Sequence, residues 1–161
     1  MKSSNQSYIN ALRWFLPEAY WGFWSEVFFN LKYPDYASLL RKNRGLHNRH
    51  ADQKRCFVIG SGPSLKTQDI KRLKNEFTIV ANSFFQHPDT AIISPKYCCV
   101  GDQLFFEGHE KSVAWLHEME KNLPRTTLIF QPAAKTILEK NNLFKNHEIF
   151  YLTTGLGAKT A

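Results

Sequence analysis

From residue 56 onward, short apolar runs alternate with longer mixed segments. The runs at 56–60, 77–81, 97–101, 126–130 and 148–152 are rich in β-branched and aromatic residues and are bounded by polar or turn-forming ones, which predicts five strands. Between them the spacing of apolar positions predicts helices over about 64–74, 104–122 and 133–141. Strands separated by helical segments imply an α/β domain with a mostly parallel sheet and crossover helices. In such sheets ligands bind beyond the carboxyl ends of the strands. The candidate functional positions are therefore Gly60 to Ser64, Asn82 and Ser83, Gly101 and Asp102, and Thr153 to Gly155.

Upstream the period changes. Trp14, Trp21 and Phe28 recur every seventh residue with Trp24 and Leu31 interleaved, and Phe15, Tyr20, Phe23 and Phe29 widen the stripe. This predicts an aromatic helix before the sheet. It has two readings: a helix packed on the domain or on a second subunit, or one lying in a membrane interface. Pro17, Glu18, Gly22, Ser25, Glu26 and Asn30 interrupt the stretch, so it does not read as a membrane span. The division expected is an aromatic helical segment and basic linker over 1–50 and the α/β, ligand-binding domain over 51–161.

The first strand runs into Gly60-Ser61-Gly62-Pro63-Ser64-Leu65. Two glycines permit positive φ and close approach of a ligand, and Pro63 suits a first helical turn, whose free N–H groups would face a phosphate. The pattern lacks the third glycine of a dinucleotide fingerprint, with Leu65 in its place, and has no Gly-Lys-Ser/Thr of a P-loop. A phosphate turn and an ordinary tight strand-to-helix connection both remain open on these residues alone.

Length and charge narrow the setting. The chain has 161 residues, enough for one domain of ordinary size, and a net charge of +7 from 21 Lys/Arg against 14 Asp/Glu. That balance favours anionic partners. Part of the excess lies in residues 41–55, where Arg41, Lys42, Arg44, Arg49, Lys54 and Arg55 face only Asp52; a solvated linker and a membrane-surface patch both fit. Because the basic residues and the aromatic stripe occupy separate segments, nucleic-acid binding is not expected. Three cysteines, two of them adjacent, suggest reduced thiols, and the polar start Met1–Ser7 lacks the apolar core of a secretory signal. A cytoplasmic protein is expected, with peripheral contact at the inner face of the membrane left open.

The six histidines show no metal-ligand spacing and Ser64 sits in no nucleophile elbow, so no metal and no catalytic nucleophile are assigned. Asp102, at a strand end, could hold Mg²⁺ or a sugar hydroxyl, or cap the following helix. The tail Thr153 to Ala161 reads as a loop opening a helix that does not continue, which suggests the front portion of a longer enzyme or a truncated copy.

Taken in order, Leu46 to His50, Gly60 to Leu65 with Asp69, Ala81 to Phe85, Gly101 to Phe106 and Thr153 to Gly155 resemble a bacterial family of surface-polysaccharide glycosyltransferase-like proteins. That family is related to the hydroxymethylpterin diphosphokinase MptE-like domain and, more distantly, to lipooligosaccharide sialyltransferases. The resemblance implies a Rossmann-like α/β fold, incomplete at the C-terminus. It also implies a cytidine nucleotide-sugar donor against Gly60, Ser61, Gly62, Ser64 and Asn82, with Thr154 and Gly155 late in the domain; position in the turn and at the strand ends adds Pro63, Ser83 and Asp102 to the candidate binding residues. The sialyltransferases' general-base His and phosphate-binding Tyr pair lie beyond the matched region, so the catalytic base is unknown.

The function expected is nucleotide-sugar-dependent glycosyl transfer to a glycan acceptor, inactive in this chain by itself and needing no metal cofactor. One alternative is an MptE-like diphosphokinase, with Mg²⁺ on Asp102. Another is a non-catalytic membrane-surface scaffold in glycan assembly. A homo-oligomer is left open.

Overall fold

The computed structural model describes residues 34–152. The aromatic stripe of residues 14–31, Thr154, Gly155 and the end of the chain lie outside these residues. Helix α1 (Pro34–Arg41) crosses a division of the chain into two compact units, and the sheet-bearing unit opens at Leu39. After α1 come β1 (Phe57–Ile59), β2 (Thr78–Ala81), the short helix α2 (Thr90–Ile93) and β3 (Tyr97–Val100). Helix α3 (Glu110–Asn122), β4 (Thr127–Phe130), α4 (Ala134–Lys140) and β5 (Ile149–Tyr151) follow. Among the described residues no helix is long and apolar enough to cross a membrane.

The five strands form one all-parallel sheet flanked by helices, an α/β, Rossmann-like arrangement. Their order is β1-β2-β3-β4-β5, so every crossover steps the same way. Right-handed crossovers that never reverse direction place their connecting segments on one face of the sheet. Burial follows that rule. Ile59, Val80, Cys98 and Leu128 stand in one register row and Val100, Phe130 and Tyr151 in the next, all in the core. Each crossover contributes to the same core: Ile70 from the first, Phe84, Phe85 and Ile93 from the second, Leu116 and Met119 from the third, Ile137 and Phe144 from the fourth.

The opposite face carries Val58, Ile79, Ala81, Cys99 and Ile129, and Val58 is 79% exposed. Its amino-terminal half is crossed by the basic segment. Lys42 and Arg49 lie over the Phe150 ring at 5.3 and 5.9 Å, and Arg49 pairs with Glu148 at 2.8 Å. His50 bonds the Tyr97 hydroxyl at 2.7 Å and meets the Phe77 ring edge-on, and Arg55 pairs with Glu76. Asn43 completes the attachment by donating to the Tyr151 carbonyl at 2.6 Å and accepting from the Tyr151 amide. Residues 42–55 thus form a strap from β5 to β1 instead of a free linker.

Two helical expectations are corrected. The helix expected over 64–74 is two 3₁₀ turns, Pro63–Thr67 and Ile70–Leu73. Its apolar positions Leu65, Ile70 and Leu73 do not make a continuous stripe, and Thr67 Oγ donates to the Ser64 carbonyl, a local bond that competes with helix propagation. The helix expected over 104–122 is broken by Gly108 at φ +76 into a 3₁₀ turn, Gln103–Phe106, and α3. His109 caps α3: its Nδ1 accepts from the Ser112 amide at 3.0 Å, and Ser112 Oγ donates back to the His109 carbonyl. Ser112, Leu116 and Met119 then face the core at helical spacing.

Candidate functional site

Parallel pairing sets the carboxyl ends of β1 to β4 side by side. Gly60 follows Ile59, Asn82 follows Ala81, Gly101 follows Val100 and Gln131 follows Phe130, which makes one row of loop starts. Side chains cross-link the row. Asn82 Oδ1 accepts from the Gly101 amide at 3.0 Å and from the Asp102 amide at 3.3 Å, while Gln131 Nε2 donates to the Gly101 carbonyl at 2.7 Å. Asn82 holds this position in the left-handed region, at φ 47. Asparagine tolerates that conformation better than most residues, because its short side chain can bond locally. Ser83 is half-buried in the 3₁₀ turn Asn82–Gln86 that follows.

The turn after β1 differs from expectation in its backbone. Gly62 is extended, at φ −72 and ψ 158, and Gly108 is the glycine with positive φ among the described residues. A Cβ at Gly60 would meet nothing within 4 Å, and one at Gly62 only Ser64 Oγ at 3.9 Å. Neither glycine is required by the turn itself. Pro63 begins a 3₁₀ turn of five residues, so the aligned dipoles of an α-helix are not behind this loop. What the turn does offer is unspent donors. The amides of Ser61 and Gly62 make no hydrogen bond among the described residues, and Ser61, Gly62 and Ser64 are exposed. The Asn82 Nδ2 group likewise has no partner among them.

Asp102 acts as a cap: its Oδ1 accepts from the Leu104 amide at 3.0 Å, opening the 3₁₀ turn Gln103–Phe106. The structure therefore realises the capping role, with Asp102 an exposed residue whose second carboxylate oxygen has no partner among the described residues. Among the described residues no three His, Cys, Asp or Glu side chains form a group that could hold a metal ion. Cys98 is fully buried, and burial, with a smaller contribution from Cys99, pushes its thiol up to about 12. A thiol so placed is inert at neutral pH. Cys99, half-buried on the other face, is raised by burial as well.

Gln131 is the site residue that the sequence reading passes over, although the strand-end rule that selects Asn82 and Asp102 selects it too. Thr154 and Gly155 fall outside the described residues. A groove of about 580 Å³ lies at the other end of the sheet, beside the segments that enter β3 and β4. Groove volume and the free strand-end amides thus lie at opposite ends of the sheet. Comparison with protein-family models, curated proteins and solved structures finds no match.

Proposed function

We propose that this domain binds the phosphate of a nucleotide or nucleotide sugar on the Gly60–Ser64 turn, as the donor-binding domain of a glycosyltransferase-like protein of bacterial surface-polysaccharide synthesis. The observation that carries the reading is the strand-end row. Two free amides at Ser61 and Gly62 stand beside an asparagine whose carboxamide oxygen is spent on Gly101 and Asp102 and whose Nδ2 is unspent. A donor-rich, open turn with room above both glycines suits an anion that approaches the backbone closely. The order of the motifs from Leu46 to Gly155 supports the family, and the unpaired cysteines suit the cytoplasm.

Chemistry beyond binding needs an acid or base within hydrogen-bond reach of the transferred centre. Asp102 is the carboxylate of this row, and one of its oxygens is occupied as a cap. The role assigned here is therefore donor binding, with the glycan acceptor as the second partner. The diphosphokinase reading asks Asp102 to hold Mg²⁺ together with substrate phosphates. Calorimetric titration with cytidine and uridine nucleotides, and with ATP in the presence of Mg²⁺ or excess chelator, separates the two. Cytidine or uridine nucleotide binding that survives the chelator is expected. Binding confined to ATP with Mg²⁺ would transfer the assignment to the kinase, and no binding to a folded sample would end both.

A further inference from the structure

The groove at the amino-terminal ends of β3 and β4 is distinct from the strand-end row. Its walls come from the Phe85–Pro88 segment, α2 with Ser94 and Pro95, and the loop Lys121–Thr126 that joins α3 to β4. Three bonds between these segments and within them fix the frame. Thr126 Oγ donates to the Pro95 carbonyl at 2.8 Å, Asn122 Nδ2 to the Phe85 carbonyl at 3.1 Å, and Thr90 Oγ to the His87 carbonyl at 2.7 Å. A cavity of about 580 Å³ is of the size that takes a small molecule, and a frame tied in advance loses little entropy on binding.

The charge of the lining has one sign. Lys121 and Arg125 are exposed on the wall and neither has an ion-pair partner among the described residues, while no lining residue is acidic. Of the nearest acidic neighbours in sequence, Asp89 pairs with Lys71 and Glu120 accepts from the Phe144 amide, while Glu118 accepts from Gln86 of the wall and is the carboxylate held against the groove. His87 adds a fixed donor. Its ring stacks on Phe84 at 5.5 Å and 7°, and its Nδ1 accepts from the Asp89 amide, so the neutral ring carries its proton on Nε2. The exposed apolar part of the lining includes Pro88 and Pro124, with Phe85, Pro95 and Leu123 buried beneath it.

We propose that this groove binds a small molecule bearing an oxyanion, phosphate or carboxylate, on an apolar body. Arg125 and Lys121 hold the anion, with the Arg125 fork able to bond two oxygens, and the proline-rich wall takes the body. The site stands whether or not the strand-end row binds nucleotide.

Titration of the ¹⁵N-labelled full chain with phenyl phosphate, benzoate, inorganic phosphate and benzyl alcohol tests it. Saturable shifts at His87, Arg125 and Thr126 with phenyl phosphate or benzoate are expected, the tighter of the two identifying the anion, with weaker binding of inorganic phosphate and of benzyl alcohol. Arg125→Gln and Lys121→Gln, both exposed and outside the core, should each weaken binding roughly tenfold, and Gly62→Ala should leave it unchanged. The proposal is overturned by shifts that do not saturate, by equal affinity in both charge variants, or by benzyl alcohol binding as tightly as the anions.

Discussion

Asn82 Oδ1 and the Gly101 amide, 3.0 Å apart, lock the loop after β2 to the loop after β3. The bond spans 19 residues of sequence and depends on a backbone that few side chains adopt. A single asparagine therefore sets the spacing of two neighbouring strand-end loops. Its Nδ2 has no partner among the described residues, and the neighbouring strand, β1, leads into the turn that offers the Ser61 and Gly62 amides.

Replacing Asn82 separates these roles. Asn82→Ala loses the acceptor and puts a methyl-bearing residue at φ 47, and should cost about 1–3 kcal/mol. Asn82→Asp keeps an acceptor and tolerates the conformation, so its loss should be smaller. Urea denaturation of both variants measures the difference, and equal losses would show that the bond contributes nothing.

Asn43 should matter more to stability than Arg49. The Asn43 carboxamide satisfies both the carbonyl and the amide of Tyr151 on the edge strand, whereas the Arg49–Glu148 pair is more than a third exposed and solvent-screened. Asn43→Ala should lower stability by about 1–3 kcal/mol and Arg49→Ala by under about 1 kcal/mol. The comparison is made by thermal or urea unfolding. The reverse order would mean that the strap is held by charge.

Cys98 makes the fold weaken in alkali. Its thiol is pushed up to about 12 in the folded state from about 9, so between those values the folded chain keeps a proton that the unfolded chain releases. The stability this group contributes is then fully present below pH 9 and is lost as pH rises through that window. Tyr97 and Tyr151, also raised by burial, add in the same direction. Unfolding measured from pH 8 to pH 11 should show the decline, and Cys98→Ala should flatten it; an unchanged slope in that variant would remove Cys98 as its source. In the native state at pH 8, a thiol reagent should modify exposed Cys56 first and Cys98 last.

The strands were legible because burial on a parallel sheet demands compact runs of β-branched and aromatic residues, and each predicted run overlaps an observed strand. The connection after β1 was not. Ser64, Thr67 and Asp69 favour local turns over a helix, and they interrupt the helix formers Leu65, Lys66, Gln68 and Lys71 to Lys74 before a continuous helix is made. Strand order is absent from any local pattern, since it is set by which crossover steps which way. The strap was hidden for a related reason: Asn43 reaches Tyr151 across 108 residues and His50 reaches Tyr97 across 47, and a basic composition says nothing of either. Asn82 and Asp102 are selected as candidates by their position at strand ends, and the same rule applied to β4 selects Gln131.

Gly62→Ala tests the central claim most directly. At φ −72, with only Ser64 Oγ at 3.9 Å from the added carbon, the fold should tolerate it and gain about 0.4–1 kcal/mol from a stiffer unfolded chain. A phosphate resting on the Ser61 and Gly62 amides would meet that methyl group. Calorimetric titration of the wild-type and Gly62→Ala chains with cytidine and uridine nucleotides, alongside urea unfolding, should show unimpaired stability and affinity reduced roughly tenfold or more. Equal nucleotide affinity in the two folded proteins would contradict the account and leave the turn as a strand-to-helix connection.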